Sequence, residues 1–212
     1  MVYPDGLSRW LTPMAYPDGL PRWLTPMAYP DGLPQWLISY LLSLIFVLFL
    51  VELKLMAIPA KVQKFLDGAK VKYEPVEHRT VYTAYDKAAT LKVPQKIVGK
   101  TLVMKLDKEL GLVLIPANKN LDKQKLKKLA KARKIDFASE KLIKNKLKGV
   151  KTGAIPPFGN LWKLPTFIDR SLLKAPKIFV NAGDYNWSIK IRGVVLKKVV
   201  PDLTSGSFGK TK

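Results

Sequence analysis

The sequence has no cysteine, and His78 is its only histidine. The absence of cysteine excludes disulfide bonds, thiolate metal sites and a cysteine nucleophile. A single imidazole also excludes the zinc sites that are built from several histidines. We therefore expect a protein that works without a metal and without a cofactor.

Acidic residues are scarce as well. The chain has 37 lysine and arginine residues against 16 aspartate and glutamate residues, which gives a formal net charge of +21. Residues 1–55 carry three basic and four acidic side chains, so the excess lies entirely in residues 56–212. A domain this basic is typical of proteins that bind a polyanion, either nucleic acid or an anionic membrane surface. The alternative is a lysine-rich composition that has no bearing on partners.

The first 36 residues are a tandem repeat. Three copies of a 13-residue unit begin at Met1, Met14 and Met27, and each copy contains a Pro-Asp-Gly turn. A unit this short and rich in proline does not build a solenoid. We therefore expect residues 1–36 to be disordered or not to belong to the native protein.

An apolar segment, residues 37–55, follows the repeat. Its uncharged core Leu37–Val51 has fifteen residues, fewer than the roughly twenty that a helix needs to span a bilayer. The segment lacks the basic start and the small-residue cleavage site of a signal peptide. Two interpretations stay open. The segment is a membrane anchor that leaves the basic domain in the cytoplasm, or translation starts at Met56 and the protein is cytoplasmic.

Residues 56–203 alternate between helical and strand patterns, which is typical of a mixed α/β domain. Two apolar, β-rich runs joined by a short polar turn predict a hairpin, at 100–107 and 110–117. Helices are predicted at 59–68, 83–91, 121–134 and 139–147. Further strands are predicted at 71–78, 164–169, 177–181 and 187–192. Residues 193–201 fit a helix or a strand, and residues 204–212 are expected to be a disordered tail.

A loop rich in proline and glycine, residues 153–159, combines stiffness with unusual backbone freedom. Its two prolines have no amide proton, so the amide donors that remain belong to Gly153, Ala154, Ile155, Phe158 and Gly159. A stiff loop with several amides suits the binding of a ligand oxygen. Loops of this composition are also common as simple turns, so the signal is weak by itself.

Four motifs follow one another in a characteristic order along the domain. They are Lys100-Thr101-Leu102-Val103, Gly149-x-x-x-Gly153-x-x-x-Pro157-Phe158-Gly159, LPTFID at 164–169, and Asn181-Ala182-Gly183. In this order and spacing, residues 58–200 resemble the YbaK family. Its members are free-standing aminoacyl-tRNA deacylases related to the editing domain inserted in bacterial prolyl-tRNA synthetase. The resemblance implies a mixed, barrel-like β-sheet flanked by helices.

The resemblance also implies a trans-editing hydrolase that removes alanine, serine or cysteine from mischarged tRNA(Pro) without a metal. An aminoacyl ester is already activated, so its hydrolysis needs positioning and oxyanion stabilisation more than a strong nucleophile. By resemblance, the amides of Gly153, Ala154 and Ile155 stabilise the oxyanion. Lys100 would contact the aminoacyl end or the terminal phosphate as a point charge with three donors. Asp169, which ends a predicted strand, either orients the site or caps a turn.

Five residues are assigned to substrate binding by the same resemblance: His78, Pro157, Phe158, Gly159 and Gly183. His78 either lines the pocket or satisfies a strand edge. No serine stands in a recognisable nucleophile elbow, so a Ser-His-Asp triad is not expected. Asp184 stands where the synthetase-inserted domains commonly have a histidine, so the family's amino-acid specificity is not carried over.

The predicted helix at 121–134 carries lysines on its exposed side. Four of them are candidates for contacts with tRNA phosphates: Lys123, Lys127, Lys128 and Lys131. A solvated lysine face is the simpler alternative. The expected partners are mischarged tRNA and prolyl-tRNA synthetase, and a membrane only if residues 37–55 are native. Two rival hypotheses are an inactive tRNA- or synthetase-binding module of the same fold and a membrane-anchored basic protein.

Overall fold

The computed structural model describes residues 35–55 and 58–211, and it describes side chains for residues 37–48 and 58–211. The chain divides into two units, residues 1–49 and 50–212. The prediction for the tandem repeat lies outside the described residues except at 35 and 36. Helix α1, Gln35–Leu55, contains the apolar run found in the sequence. Where side chains are described, no helix is long and apolar enough to cross a membrane.

The second unit contains short helices and short strands in alternation. After α1, the helices of the described region are α2 Ala60–Gly68, α3 Ala84–Thr90, α4 Lys123–Ala130, α5 Glu140–Lys146, α6 Arg170–Leu173 and α7 Leu196–Val199. Its strands are β1 Glu74–Glu77, β2 Gly99–Leu106, β3 Glu109–Pro116, β4 Lys119–Leu121, β5 Ile135–Phe137, β6 Thr166–Asp169, β7 Ile178–Asn181, β8 Trp187–Ile191, β9 Thr204–Gly206 and β10 Gly209–Thr211. Single turns of 3-10 helix lie at Gln95–Ile97, Gly159–Trp162 and Gly193–Val195.

The strands described here pair into three sheets. In the five-stranded sheet, of order β5-β2-β3-β6-β9, the β2 pairs are antiparallel, whereas β3–β6 and β6–β9 are parallel. The three-stranded sheet β1-β8-β7 and the pair β10-β4 are antiparallel. A parallel bridge between Val98 and Phe179 connects the entry to β2 with β7. The mixed α/β fold predicted from the sequence is confirmed.

The predicted hairpin is the β2–β3 pair, and β3 is covered on both sides. Four successive residues of β3, Leu112 to Ile115, are buried although successive side chains point to opposite faces of a sheet. Val113 and Ile115 pack in a cluster with Leu126 of α4, and Leu114 packs in the cluster that contains α2. A strand covered on both faces reads as a continuous apolar run, which explains why LGLVLI does not alternate. The hairpin is therefore the rigid element on which the start of β2 is held.

Capping residues set the helix boundaries. Thr83 caps α3 as predicted, and its hydroxyl accepts a hydrogen bond from the amide of Asp86 at 3.0 Å. Helix α4 is shorter than the predicted 121–134. It begins after Asp122, whose carboxylate accepts the amides two and three residues further on, and it ends at Lys131, which has a φ of 52°. Leu121 belongs to β4 instead.

Residues 193–201, which fit either state in the sequence, form a 3-10 turn followed by α7. The prediction that residues 204–212 are a disordered tail needs correction, because this segment forms β9 and β10 up to residue 211. β9 pairs with β6, and β10 pairs with β4. Between them Phe208 is 1% exposed and packs in the cluster beside α4. The buried ring of Phe208 and the short pairings of β9 and β10 thus hold a segment whose composition is typical of a disordered tail.

The carboxylate of Asp169 is the junction that attaches this segment. Asp169 is 1% exposed; it accepts the amide of Ser171 at 3.0 Å, which caps α6, and the amide of Gly209 at 2.8 Å. Lys119 of β4 lies 3.3 Å away. Burial acts to raise the pKa of Asp169, but the hydrogen bonds from Ser171 and Gly209, together with Lys119, outweigh it and hold this pKa below its ordinary value.

We expect Asp169→Ala to lower the free energy of unfolding by about 2–4 kcal/mol, because it removes a buried carboxylate that accepts from Ser171 and Gly209 and pairs with Lys119. Urea denaturation of the full chain measures the change. Because the pKa of Asp169 is lowered by folding, its contribution is complete above the unfolded value of about 3.9 and is lost as the pH falls further. Asp136→Ala is the control, since its exposed pair with Lys134 should contribute less than about 1 kcal/mol. Equal effects of the two substitutions would contradict the assignment.

Candidate functional site

A small cavity lies where the start of β2, the start of α3 and the end of β7 meet residues 153 and 154. Its volume is about 180 Å³. The charged residues, the polar residues and the glycine on its lining are Lys87, Lys100, Thr101, Gly153, Asn181 and Asp184. We call this space the site cavity. Three of the predicted catalytic residues, Lys100, Gly153 and Ala154, therefore lie on its lining, although 53 positions separate Lys100 from Gly153.

Lys87 is the feature of the site cavity that sequence analysis missed. Its side chain is 4% exposed, and its ammonium donates a hydrogen bond to Oδ1 of Asn181. Within the described region no carboxylate pairs with it, and burial lowers the pKa of Lys87 to about 8. A signal did exist. Lys87 follows Ala84 by three residues and precedes Leu91 by four, which places it on the apolar side of α3.

Thr101 adds an unused hydrogen-bonding group beside Lys100. Its hydroxyl is buried and has no hydrogen-bond partner among the described residues. A buried hydroxyl without a partner is costly, and Thr101 also belongs to the lining of the site cavity. Lys100 itself is partly buried at the same edge. Together they place one cation and one hydroxyl at the start of β2.

The proline loop meets the site cavity only at its beginning. Gly153 and Ala154 line the cavity, but the amide of Ala154 donates to the carbonyl of Lys151 at 2.9 Å. The prediction that Ala154 supplies an oxyanion donor needs correction for that reason. The amide of Gly153 has no hydrogen bond within the described residues, so it is the donor that the loop offers to the cavity.

The rest of the loop is a buried anchor. Ile155 and Phe158 are 4% and 0% exposed and pack in two different apolar clusters. The amide of Gly159 donates to the hydroxyl of Thr166 at 3.2 Å. Neither these three nor Pro157 lines the site cavity. These residues form the buried part of the loop that follows Gly153, whereas the sequence predicted contacts with the oxyanion and the substrate.

A turn at Gly183 clamps the loop to the end of β7. The amide of Gly183 donates to the carbonyl of Ala154, and its own carbonyl accepts the amide of Lys151, each at 2.9 Å. Gly183 has a φ of 100°, and a Cβ there would lie 2.9 Å from Val150, so only glycine fits. The carboxylate of Asp184 lies 2.7 Å from the ammonium of Lys151. Asp184, the departure noted in the sequence, thus reinforces the clamp.

His78 supports the neighbouring sheet and does not line the site cavity. Its Nε2 lies 2.8 Å from the hydroxyl of Ser188, which is fully buried on β8, and its Nδ1 lies 2.8 Å from the carbonyl of Arg79. Since a carbonyl only accepts, Nδ1 carries the proton and Nε2 accepts from Ser188. Burial lowers the pKa of His78 and keeps the ring neutral. The sheet-edge interpretation of His78 fits these contacts.

The remaining predicted residues lie elsewhere. Asp169 does not line the site cavity; it caps α6, which fits the capping alternative left open in the sequence. None of the four candidate tRNA-binding lysines lines it either. Lys123 stands at the first position of α4 and lines a larger neighbouring groove, whereas Lys127, Lys128 and Lys131 lie toward the other end of the helix.

Comparisons with known proteins agree with this geometry. The model of a family described as the aminoacyl-tRNA editing domain matches residues 78–199, more than half of the chain. A crystal structure of a hypothetical protein has a TM-score of 0.64 and 20% identity, and the match covers 71% of this chain and 99% of that one. A proposed trans-editing enzyme for prolyl tRNA synthetase has a TM-score of 0.61 at 21% identity, over 71% and 95% of the two chains.

A longer protein shows the same fold as one part of its chain. It is a proposed signal transduction protein from Marinobacter aquaeolei VT8, with a TM-score of 0.54 and 15% identity. The match covers 71% of this chain but 30% of that one. At these identities the three structures establish the shared fold, and the family match adds the kind of domain.

The buried ammonium of Lys87 makes a prediction about stability. Its pKa falls from 10.5 to about 8 on folding, which corresponds to a penalty of about 3 kcal/mol below pH 8. Lys87→Met removes this penalty but leaves Asn181 without its donor, which costs about 1 kcal/mol. We therefore expect the variant to be about 2 kcal/mol more stable at pH 7, as measured by urea denaturation.

The gain should depend on pH. The unfolded chain binds the Lys87 proton more tightly than the folded chain, so the stability of the wild type rises between about pH 8 and pH 10.5 and the advantage of Lys87→Met shrinks there. Lys96→Met, at an exposed lysine, should change stability little at either pH. A Lys87→Met variant less stable than the wild type at pH 7 would show that the bond to Asn181 outweighs the cost of burial.

A substitution of Gly159 tests whether the buried part of the proline loop anchors it to the domain. A Cβ at this position would lie 2.2 Å from both the carbonyl oxygen of Leu164 and the hydroxyl of Thr166. We expect Gly159→Ala to destabilise the domain by about 3 kcal/mol, because the backbone must shift. Gly68→Ala is the matched control: no atom lies within 4 Å of a Cβ there, and the substitution at the end of α2 should be neutral or stabilising by up to about 1 kcal/mol. Thermal denaturation distinguishes the two, and an unchanged Tm for Gly159→Ala would contradict the proposed anchor.

Proposed function

The chain belongs to the aminoacyl-tRNA editing domain family, and from that premise we propose that it is a trans-editing hydrolase that deacylates mischarged tRNA. The substrate we propose is tRNA(Pro) carrying alanine, serine or cysteine. The enzyme would act in the cytoplasm on the errors of prolyl-tRNA synthetase. No metal takes part in the proposed reaction.

The observation that carries this proposal is the convergence of donors on one small cavity. Lys100, Thr101 and Gly153 all line the space in which an ester would lie, and the amide of Gly153 has no hydrogen bond within the described residues. Each of them can donate a hydrogen bond to an oxygen. Donors placed in advance around a reacting carbonyl stabilise the negative charge that develops on its oxygen during attack.

The size of the site cavity supports a small aminoacyl group. Its volume of about 180 Å³ lies below the roughly 300 Å³ at which pockets for ordinary small-molecule ligands begin. Tyr82 lies on its lining and is largely exposed, and its ring packs edge-on against Tyr185 with centroids 5.0 Å apart. The exposed ring of Tyr82, supported by the half-buried ring of Tyr185, suits the terminal adenosine, which would remain outside the cavity.

The proposed reaction is the hydrolysis of an ester by water. The oxygen of a water molecule attacks the carbonyl carbon, and the negative charge that forms on the carbonyl oxygen is stabilised by Gly153 and Lys100. The bond between this carbon and the ribose oxygen then breaks. The ribose oxygen leaves with one proton from the water, and the second proton enters solvent as the released amino acid ionises.

An inactive tRNA- or synthetase-binding module is the second candidate, and one observation favours it. The amide of Ala154 is used within the protein, so the loop presents fewer oxyanion donors than its sequence indicated. A binding module would depend on the basic surface and would not depend on the donors inside the site cavity. The two candidates therefore differ in which substitutions they tolerate.

We expect Lys100→Ala to lower kcat for deacylation by about 10²–10³-fold, because a donor to the oxyanion is lost. The measurement uses the full chain with tRNA(Pro) charged separately with alanine, serine, cysteine and proline, and follows the loss of the ester. Under the hydrolase proposal one mischarged species is cleaved rapidly and the correctly charged tRNA is spared.

The control for this experiment is Lys96→Ala. Lys96 is exposed four positions before Lys100 and does not line the site cavity, so its removal should leave kcat unchanged. Binding of uncharged tRNA by Lys100→Ala should remain within about tenfold of the wild type, because many phosphates contribute. Wild-type protein that binds tRNA but cleaves none of the four esters would establish the binding module instead.

A further inference from the structure

A second groove opens next to the site cavity. It has a volume of about 510 Å³ and is lined by residues that include Lys100, Leu102, Asn120, Lys123, Phe137 and Lys210. We call it the lysine groove. It shares Lys100 and Leu102 with the site cavity, so the two spaces meet at the start of β2. A ligand that extends out of the site cavity past Lys100 would enter this groove.

The charges along the lysine groove favour an anion. Its three cations come from separate elements: Lys100 from β2, Lys123 from α4 and Lys210 from β10. Among the described lining residues the acid is Asp122, whose carboxylate already accepts the amides of Gln124 and Lys125 at 3.1 Å each. The single carboxylate is thus occupied at the helix start, while three lysines belong to the lining of the groove.

The groove also presents an aromatic surface. Phe137, on β5, is 58% exposed, which is unusual for a ring of this size. The ammonium of Lys123 lies 4.7 Å from the centroid of the ring and covers part of it. A free phosphate or a carboxylate would gain little from an exposed ring between lysines. Phosphates alternate with flat bases in a single strand of nucleic acid, and such strands bind on aromatic rings flanked by cations.

We propose that the lysine groove binds the single-stranded 3′ end of the tRNA, with a base that precedes the terminal adenosine stacked on Phe137. The phosphates of this strand would lie on Lys123 and Lys210, and Lys100 stands where the groove meets the site cavity, so that the strand leads the ester into the site cavity. This inference rests on the proposed function and states how the same site receives its substrate. It separates Lys123 from the other candidate lysines of α4, which lie outside the groove.

Binding of a short, uncharged, single-stranded RNA that ends in CCA tests the proposal. Fluorescence anisotropy with the full chain measures Kd, and a duplex RNA of the same length serves as the competing ligand. We expect Phe137→Ala to raise Kd about tenfold and Phe137→Trp to leave it within about threefold, because a stacked base contributes that much and any flat ring provides it. Val194→Ala, at an exposed apolar residue outside the groove, should leave Kd unchanged.

The lysines are tested by the salt dependence of the same binding. Lys123→Ala and Lys210→Ala should each reduce the slope of log K against log salt concentration by about 0.7, the value for one phosphate of a single strand. Lys197→Ala, at an exposed lysine outside the groove, should keep the wild-type slope. An unchanged Kd for Phe137→Ala, or equal affinity for duplex and single strand, would overturn the proposal.

A second substrate separates this inference from the proposed hydrolysis. An aminoacyl ester of adenosine alone has no preceding nucleotides and cannot reach Phe137. Phe137→Ala should hydrolyse it at the wild-type rate, whereas with mischarged tRNA its KM should rise about tenfold at unchanged kcat. If the wild type binds the RNA through Phe137 but hydrolyses neither ester, the hydrolase is wrong and the groove stands. If both esters are hydrolysed and Phe137 has no effect, the groove is wrong and the hydrolase stands.

Discussion

The burial of both faces of β3 is the constraint on which the rest of the domain depends. Since every residue from Leu112 to Ile115 needs an apolar neighbour, one side of the strand requires α4 and the other requires α2 and the clusters beneath the proline loop. β2 is paired with β3 along eight residues, so it inherits the same fixed position. Lys100 and Thr101, at its start, are therefore held by a strand that pairs along its whole length with a buried neighbour.

Patterns of neighbouring residues in the sequence predicted the elements that depend on neighbouring residues. Apolar runs with a polar turn gave the hairpin, and the hydroxyl of Thr83 gave the start of α3. The resemblance to the editing family pointed to Lys100 and Gly153, and both line the same cavity. What could not be predicted depends on partners distant in sequence. The ammonium of Lys87 is buried where the amide oxygen of Asn181, 94 residues later, accepts its hydrogen bond.

The errors have the same origin. The proline loop contains the donors that the sequence indicated, but the amide of Ala154 donates to Lys151, that of Gly159 donates to Thr166, and Ile155 and Phe158 are buried in apolar clusters. Of these donors, the amide of Gly153 is the one that lies at the cavity. The segment after residue 203 has the composition of a tail. It forms strands because Phe208 packs in the apolar cluster beside α4 and the amide of Gly209 donates a hydrogen bond to Asp169. Neither packing partner is visible in the composition of the segment itself.

Lys87 also limits how freely the rest of the domain can vary. Folded domains of this kind are stable by only about 5–15 kcal/mol, and an ordinary substitution costs about 1 kcal/mol. A buried cation whose pKa is lowered to about 8 consumes a substantial share of that margin at neutral pH. Such a chain tolerates fewer core substitutions than a relative with an apolar residue in the same place. The lysine in α3 therefore narrows the range of sequences that can fold around it, far beyond the positions that it touches.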